Sequence, residues 1–108
     1  KEFIQKTLQL IEKNICNPDY SNDDLSRDLS MSRSNLYPKF QSITGQTPNH
    51  FIRSIRLKRA AQLLQTSTHT ISEISWMVGV NDIKYFNKYF KEEFGVTPTQ
   101  YRKGNADS

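Results

Sequence analysis

The sequence has few of the features that mark secreted or membrane-spanning proteins. Its 108 residues include a single cysteine, Cys16, so no internal disulfide can form, which favours a reducing compartment. No stretch approaches the roughly 18 consecutive apolar residues that a membrane-spanning helix needs, and no signal peptide is recognisable. We therefore expect a cytoplasmic protein that makes no membrane contact through this chain.

Residues that could form a metal or catalytic centre are also scarce. His50 and His69 have no acid or cysteine at ligand spacing, so we expect no metal and no other cofactor. The sequence has no glycine-rich phosphate loop and no nucleophile with a nearby base, so we do not expect an enzyme. A small hydrolase or metal enzyme would need a cluster that the sequence lacks. Cys16 is expected to be a small packing residue.

Acidic residues are absent from two long parts of the chain. None occurs between Leu29 and Ser72, where six basic residues stand, and none occurs between Ile83 and Lys91, where three lysines stand. The formal net charge is +4. Basic groups gathered beside phosphates release condensed counterions, so this segregation favours a polyanionic partner. A solvated basic face would show the same pattern, and charge alone does not separate the two.

Apolar residues recur every three or four positions along the chain, which is typical of amphipathic helices, and no alternating strand pattern is present. Most of these segments follow a residue that could cap the first helical turn: Ser21, Ser32, Thr47, Thr70 and Asp82. The sequence therefore predicts an all-α domain. We expect a first subdomain over about 1–47, a long linker helix over about 48–65 and a second subdomain over about 66–104.

The second half of the chain repeats the first at a spacing of about fifty residues. Gly45-Gln46-Thr47-Pro48 returns as Gly95-Val96-Thr97-Pro98. Further upstream the shift is forty-nine, because one of the two turns is a residue shorter; Ser26 there aligns with Ser75. The chain thus contains two copies of a unit made of a short helix, a tight turn and a second helix.

Each copy has the residue types of a helix-turn-helix. Ser26 and Ser75 are small where the second helix would cross the first. The turn favours a residue that tolerates positive φ, which is Gly79 in the second copy and, less usually, Ser30 in the first. We expect an inward apolar line on each second helix, formed by Leu36, Phe40 and Ile43 in one copy and by Phe86, Phe90 and Phe94 in the other.

The opposite face of each second helix would be available to the major groove of DNA. In the second copy this face carries lysines and an asparagine, which can pair with guanine and adenine respectively. A linker helix of about 17 residues would span roughly 25 Å and bring the two second helices near one DNA turn apart, about 34 Å. A helical protein-interaction module that does not bind DNA is the alternative, although it would not explain the doubled turn.

Trp76 and Met77 lie off the inward line of their helix. They could form a patch for RNA polymerase or a second protomer, but such residues more often cover a seam between helices, and that is the expectation here.

Short motifs at fixed positions extend from about residue 5 to residue 103; among them are Ser32-Arg33-Ser34-Asn35-Leu36-Tyr37, Gly45-Gln46-Thr47-Pro48, Val78-Gly79-Val80, Tyr85-Phe86, Thr97-Pro98 and Tyr101-Arg102. They resemble the DNA-binding domain of AraC/XylS transcription regulators. The resemblance implies seven helices, two recognition helices and transcriptional control. The sequence around Arg56-Leu57-Lys58-Arg59-Ala60 is similar to the corresponding sequence in output domains of hybrid two-component sensors. Because the chain opens with Lys1 rather than Met, we expect it to be part of a larger regulator chain.

The resemblance also implies roles for individual residues. Base contacts are expected from Ser34 and Tyr37 in the first unit and from Lys84, Asn87 and Lys88 in the second. Phosphate contacts, which position a protein without specifying sequence, are expected from Arg33, Arg53 and Lys91. The implied partners are double-stranded DNA and RNA polymerase.

Two positions depart from the family pattern. Pro38 stands where the family often has arginine or another polar residue, and a proline there removes one helical hydrogen bond. We expect a slight bend or a tightened first turn, and less base reading by the first unit. Val80 replaces a common phenylalanine, which changes core packing.

Overall fold

A computed structural model describes the backbone of residues 2–106 and the side chains of residues 2–104. Within this part the chain forms seven α-helices and no strand, which confirms the all-α prediction. The helices are α1 (Glu2–Lys13), α2 (Asn22–Asp28), α3 (Arg33–Thr44), α4 (Pro48–Thr66), α5 (Ile71–Met77), α6 (Ile83–Phe94) and α7 (Pro98–Ala106). None of these helices is both long enough and apolar enough to cross a membrane.

Local chemistry sets the helix boundaries in the same way in both halves. Side-chain oxygens of Ser32, Thr47, Thr70 and Asp82 each accept a hydrogen bond from a backbone N–H in the first turn of the helix that follows. Gly45 and Gly95 end α3 and α6 in the left-handed conformation, at φ of 72° and 79°. The repeated glycine-x-threonine-proline segments therefore end one helix and begin the next in each half.

The two helix-turn-helix turns have the same backbone hydrogen bond. The N–H of Met31 donates to the carbonyl of Ser26 at 2.9 Å, and the N–H of Val80 donates to the carbonyl of Ser75 at 2.8 Å. Ser30 adopts φ of 56°, close to the 79° of Gly79. A side chain in this region costs about 1–2 kcal/mol. Ser30 is exposed, so backbone strain is the main cost at that position.

Two apolar clusters form the core, and α4 contributes to both. The first cluster consists of Ile11, Tyr20, Leu25, Leu36, Phe40 and Ile52. The second contains Ile15, Ile74, Val78, Phe86 and Phe90, together with Leu57, Ala60, Ala61 and Leu64 of α4. Ile55 packs against both clusters. Since α4 has 19 residues, it is about 28 Å long, and its side chains pack into the cores of both units.

Arg56 on α4 is buried and joins the two units. Its Nη1 donates to the carbonyl of Ile15 at 2.7 Å and to that of Val78 at 2.8 Å, while its Nη2 donates to the carbonyl of Asn17 at 3.0 Å. The acceptors lie in the turn after α1 and at the end of α5. Burial lowers the pKa of Arg56, but a guanidinium group stays protonated in proteins. Although Arg56 belongs to the basic, acid-free segment, its charge holds the fold together and does not lie on the surface.

Three sequence expectations about packing are wrong. Ile43 is 49% exposed, because the inward line of α3 continues from Phe40 to Thr44, one full turn on, and leaves Ile43 to one side. Cys16 is exposed, since α1 has already ended at Lys13 and its apolar face does not extend to this residue. Trp76 is 60% exposed and Met77 is 37% exposed, so they are not buried in a seam between helices, because Ile74, Ser75 and Val78 make the inward contacts of this segment.

Candidate nucleic-acid interface

The outer face of α6 is a polar stripe backed by buried rings. Lys84, Asn87, Lys88 and Lys91 are all exposed, whereas Phe86 and Phe90 are fully buried. The ring of Phe90 packs edge-on against Tyr101 of α7, with centroids 5.5 Å apart. From the other side, the buried Ser54 donates from Oγ to Glu93 Oε2 at 3.0 Å and so attaches α6 to α4. The division of α6 into inner and outer faces follows the sequence prediction, and its orientation is fixed from both sides.

Arg53 reaches from α4 onto the surface of α6. Its guanidinium carbon lies 4.0 Å from the centroid of the Tyr89 ring, which in turn packs against Tyr85 with centroids 4.4 Å apart. The ammonium of Lys88 lies 5.3 Å from the same Tyr89 centroid. Stacking on an aromatic face holds a cation in place without neutralising it. The half-buried Arg53 therefore contributes its charge to the second unit, beside Lys88.

Sequence reasoning did not identify Tyr85 and Tyr89 as part of this surface. They stand four residues apart on α6, which places them on one side of the helix. That spacing was the available signal for a shared surface, but it is equally typical of residues packed in a core. Arg53, the partner of Tyr89 on α4, is far away in sequence.

The outer face of α3 carries a different set of side chains. Arg33, Ser34, Asn35, Pro38 and Lys39 are exposed, opposite the buried Leu36 and Phe40. Pro38 lies inside a helix that continues from Arg33 to Thr44. Because proline has no N–H, the bond that residue 38 would donate to the carbonyl of Ser34 cannot form. With Ser34 and Pro38 among its exposed residues, this face has fewer long polar side chains than the face of α6.

Tyr37 is half-buried and is held by the beginning of α2. Its hydroxyl accepts a hydrogen bond from Asn22 Nδ2 at 2.6 Å. The guanidinium carbon of Arg33 lies 5.9 Å from the Tyr37 ring centroid, and Arg33 Nε lies 3.4 Å from Asp23 Oδ1. The Tyr37 hydroxyl, and then the Asp23 carboxylate, raise the pKa of Arg33. Sequence reasoning missed Asn22, whose only signal was a polar residue directly after the N-cap of a short helix.

The predicted site residues thus divide between two surfaces. Arg33, Ser34 and Tyr37 lie on α3, and Lys84, Asn87, Lys88 and Lys91 lie on α6 with Arg53 beside them. Each surface belongs to the second helix of one copy of the repeated unit. Arg56 and α4 connect the two copies.

Comparison with known proteins agrees with this architecture. A family model described as a helix-turn-helix domain matches residues 25–104. Histidine kinase P4 of Formosa agariphila is 42% identical over 102 residues, which are 94% of this chain and 7% of that protein. The xylose operon regulatory protein of Escherichia coli K12 is 35% identical over 85 residues, 79% of this chain and 22% of that protein.

The chain therefore spans only a small part of these two relatives. Among solved structures, a transcriptional regulator from Chromobacterium violaceum, described as containing an AraC-type DNA-binding domain, has a TM-score of 0.89 and 30% identity; the match covers 97% of this chain and 93% of that one. The chain belongs to the AraC/XylS family of helix-turn-helix DNA-binding domains.

Proposed function

We propose that this domain binds specific sequences of double-stranded DNA and thereby regulates transcription. The observation that carries the proposal is the pair of exposed outer faces, on α3 and α6, each presented by the second helix of a duplicated helix-turn-helix. In such units the second helix enters the major groove while the first crosses the backbone. Two units on one chain would then occupy successive segments of the groove.

The outer face of α6 is suited to reading bases. Lys84, Asn87 and Lys88 stand within its first two turns, where a recognition helix approaches the base edges. Lysine donates to guanine acceptors, and an asparagine amide can pair with adenine at two atoms. Lys91 is nearly one turn further along the helix, and together with Arg53 it is assigned to phosphates.

The outer face of α3 is assigned a smaller share of base reading. Ser34 and Tyr37 are its candidate base contacts, and Arg33 is its candidate phosphate contact. Pro38 occupies an exposed position on this face but has no polar side-chain atom to offer a base. We therefore assign most of the sequence preference to α6.

The spacing of the two faces follows from α4. This helix is about 28 Å long, and its buried side chains belong to both apolar clusters. Arg56 adds hydrogen bonds to both units. A rigid separation of this size suits two groove segments one helical turn apart, about 34 Å. One copy of the chain thus has two reading helices and can bind as a monomer.

We further propose that the domain works in the cytoplasm as the DNA-binding part of a larger regulator chain of the two-component type, with RNA polymerase as a further partner. The match to 7% of a much longer histidine kinase supports this arrangement.

Selection of bound duplexes from a random pool tests the proposal. We expect an enriched motif with two half-sites about 10 base pairs apart. In a gel shift, affinity for a shuffled duplex should be at least about a thousandfold weaker than for the selected one, and both should weaken as salt rises. Binding without an enriched motif would contradict specific recognition. A pull-down of a protein partner that is insensitive to DNA and salt would instead support a helical interaction module.

A further inference from the structure

The Asn22–Tyr37 hydrogen bond connects the start of α2 with α3, at the edge of the outer face of α3. Asn22 is 5% exposed, and its Nδ2 donates to the Tyr37 hydroxyl at 2.6 Å. We infer that Asn22 is a positioning residue which fixes the hydrogen-bond polarity of Tyr37 toward DNA. The inference rests on the proposed function, because it assumes that α3 lies in the groove.

The polarity follows from the chemistry of the two groups. A phenol has one O–H donor and acceptor lone pairs, whereas an amide NH₂ can only donate. Because Asn22 Nδ2 occupies a lone pair of the Tyr37 oxygen, the O–H proton of Tyr37 is not used in this contact. The proton can then point away from Asn22, toward an acceptor on the nucleic acid.

The Tyr37 ring is also held in place. It packs against the first apolar cluster, and the Arg33 guanidinium lies 5.9 Å from its centroid. Arg33 is in turn beside Asp23, the neighbour of Asn22. Packing fixes the ring while Asn22 fixes the hydroxyl, so Tyr37 meets DNA in one arrangement.

Burial of Asn22 also has a cost for the fold. Its Oδ1 is buried and has no hydrogen-bond partner among the described residues. A buried polar atom without a partner is destabilising, so an apolar side chain at this position would suit packing better. An amide that costs stability at the edge of a reading surface points to a role in recognition.

A donor at Tyr37 would discriminate among bases. In the major groove, guanine offers the acceptors O6 and N7, and thymine offers O4, whereas cytosine offers an amino donor. Tyr37 should therefore favour guanine or thymine over cytosine at the one position that it contacts, on the strand that it faces.

Asn22→Asp tests the inference because it changes the polarity with little change of shape. A carboxylate accepts a hydrogen bond from the Tyr37 O–H, and the phenol oxygen then presents only lone pairs to DNA. We call the half of the selected motif that α3 contacts the α3 half-site, and the other half the α6 half-site. Selection from a random pool should show that, at one base pair of the α3 half-site, the relative preference for cytosine increases roughly tenfold. The α6 half-site should be unchanged.

Asn22→Leu removes the bond without a new charge and keeps the test valid if the aspartate variant folds poorly. It should flatten the preference at the same base pair and leave the thermal unfolding temperature equal or higher. In a Tyr37→Phe background, neither change at Asn22 should alter base preference, because the hydroxyl is already missing. A purely structural role would instead lower binding to all sequences alike.

The failure of this inference differs from failure of the proposed function. If the wild type selects a motif but both Asn22 variants keep its base preferences unchanged, then Asn22 does not set the polarity of Tyr37. If the wild type selects no motif, specific DNA recognition itself is wrong. A Lys88→Ala control should alter only the α6 half-site.

Discussion

The backbone of Gly79 lies directly against the guanidinium group of Arg56. A Cβ placed on Gly79 would stand 1.7 Å from Arg56 Nη1 and 2.3 Å from the carbonyl oxygen of Ile15. The turn of the second unit, the linker helix and the first unit therefore meet at one point. Glycine is needed here both for its φ of 79° and for the space that it leaves.

Gly79→Ala should destabilise the domain far more than Gly95→Ala. Both glycines have φ of 79°, but a Cβ at Gly95 would meet nothing within 4 Å. We expect about 1–2 kcal/mol for Gly95→Ala from backbone strain alone. We expect about 3 kcal/mol or more for Gly79→Ala, because Arg56 must move away from buried carbonyls. Urea unfolding of the two variants measures the difference, and equal losses would show that the close contact is unimportant.

Lys88→Ala and Lys91→Ala should weaken DNA binding in different ways. Both lysines are exposed on α6, so neither change should alter folding greatly. Loss of the proposed base contact at Lys88 should cost about 1–3 kcal/mol of binding free energy on the selected site and relax the preference at one base pair. Loss of the proposed phosphate contact at Lys91 should weaken binding to all duplexes alike and lower the slope of log affinity against log salt concentration by about one. Titrations of both variants on specific and random DNA at several salt concentrations measure these losses. A sequence-dependent loss for Lys91→Ala and a uniform loss for Lys88→Ala would show that the two roles are reversed.

Asp23→Asn should strengthen binding to any duplex. The Asp23 carboxylate lies 3.4 Å from Arg33 Nε, and both side chains are largely exposed. If Arg33 is the phosphate contact proposed above, Asp23 competes with phosphate for it. Removing it should raise affinity by about twofold to fivefold, since exposed pairs are weak.

Glu2→Gln is the matched control, because it makes the same change in net charge on α1, outside the proposed interface. If both variants bind more tightly by the same factor, the effect is one of overall charge, and Asp23 does not compete for Arg33.

Glu73→Gln should change how stability depends on pH. Glu73 Oε1 accepts from the Thr70 N–H at 2.8 Å, and this backbone bond, more than the nearby Thr70 hydroxyl and His69, lowers the pKa of Glu73. A carboxyl whose pKa is lower in the folded state stabilises the fold above its unfolded pKa, near 4.5, and loses this contribution as pH falls through the folded value. The wild type should therefore lose stability below about pH 4.5 more steeply than Glu73→Gln. Parallel curves from unfolding at pH 3 to 7 would rule out this contribution.

Features that depend on local sequence could be predicted well. The caps at Ser32 and Asp82, the glycine helix ends and the buried faces formed by Phe86 and Phe90 all follow from short spacing rules. The positive φ of Ser30 was also foreseen, because its partner in the repeat is Gly79. Repetition within one chain supplied what a single copy would not have revealed.

Contacts between distant residues were beyond local rules. Arg56 stands in a basic segment and resembles a phosphate ligand, yet its partners are carbonyls 22 to 41 residues away. Tyr37 and Asn22 are separated by 15 residues, and neither has a local sign of the bond. The prediction that Ile43 is buried was wrong for another reason. Residues three and four positions apart can both share a helix face, so the spacing from Phe40 does not decide between Ile43 and Thr44.

Because α4 packs against both units, the docking of the second recognition helix on DNA is an intramolecular step. Once α6 has docked, α3 is presented to the neighbouring groove segment at a high effective concentration, with no search through solution and little orientation left to fix. Although α3 has few long polar side chains on its outer face, it can then still lengthen the residence time of the domain on DNA. If α3 recognises fewer bases than α6, as proposed, the rigid separation of the two units offsets its smaller contribution.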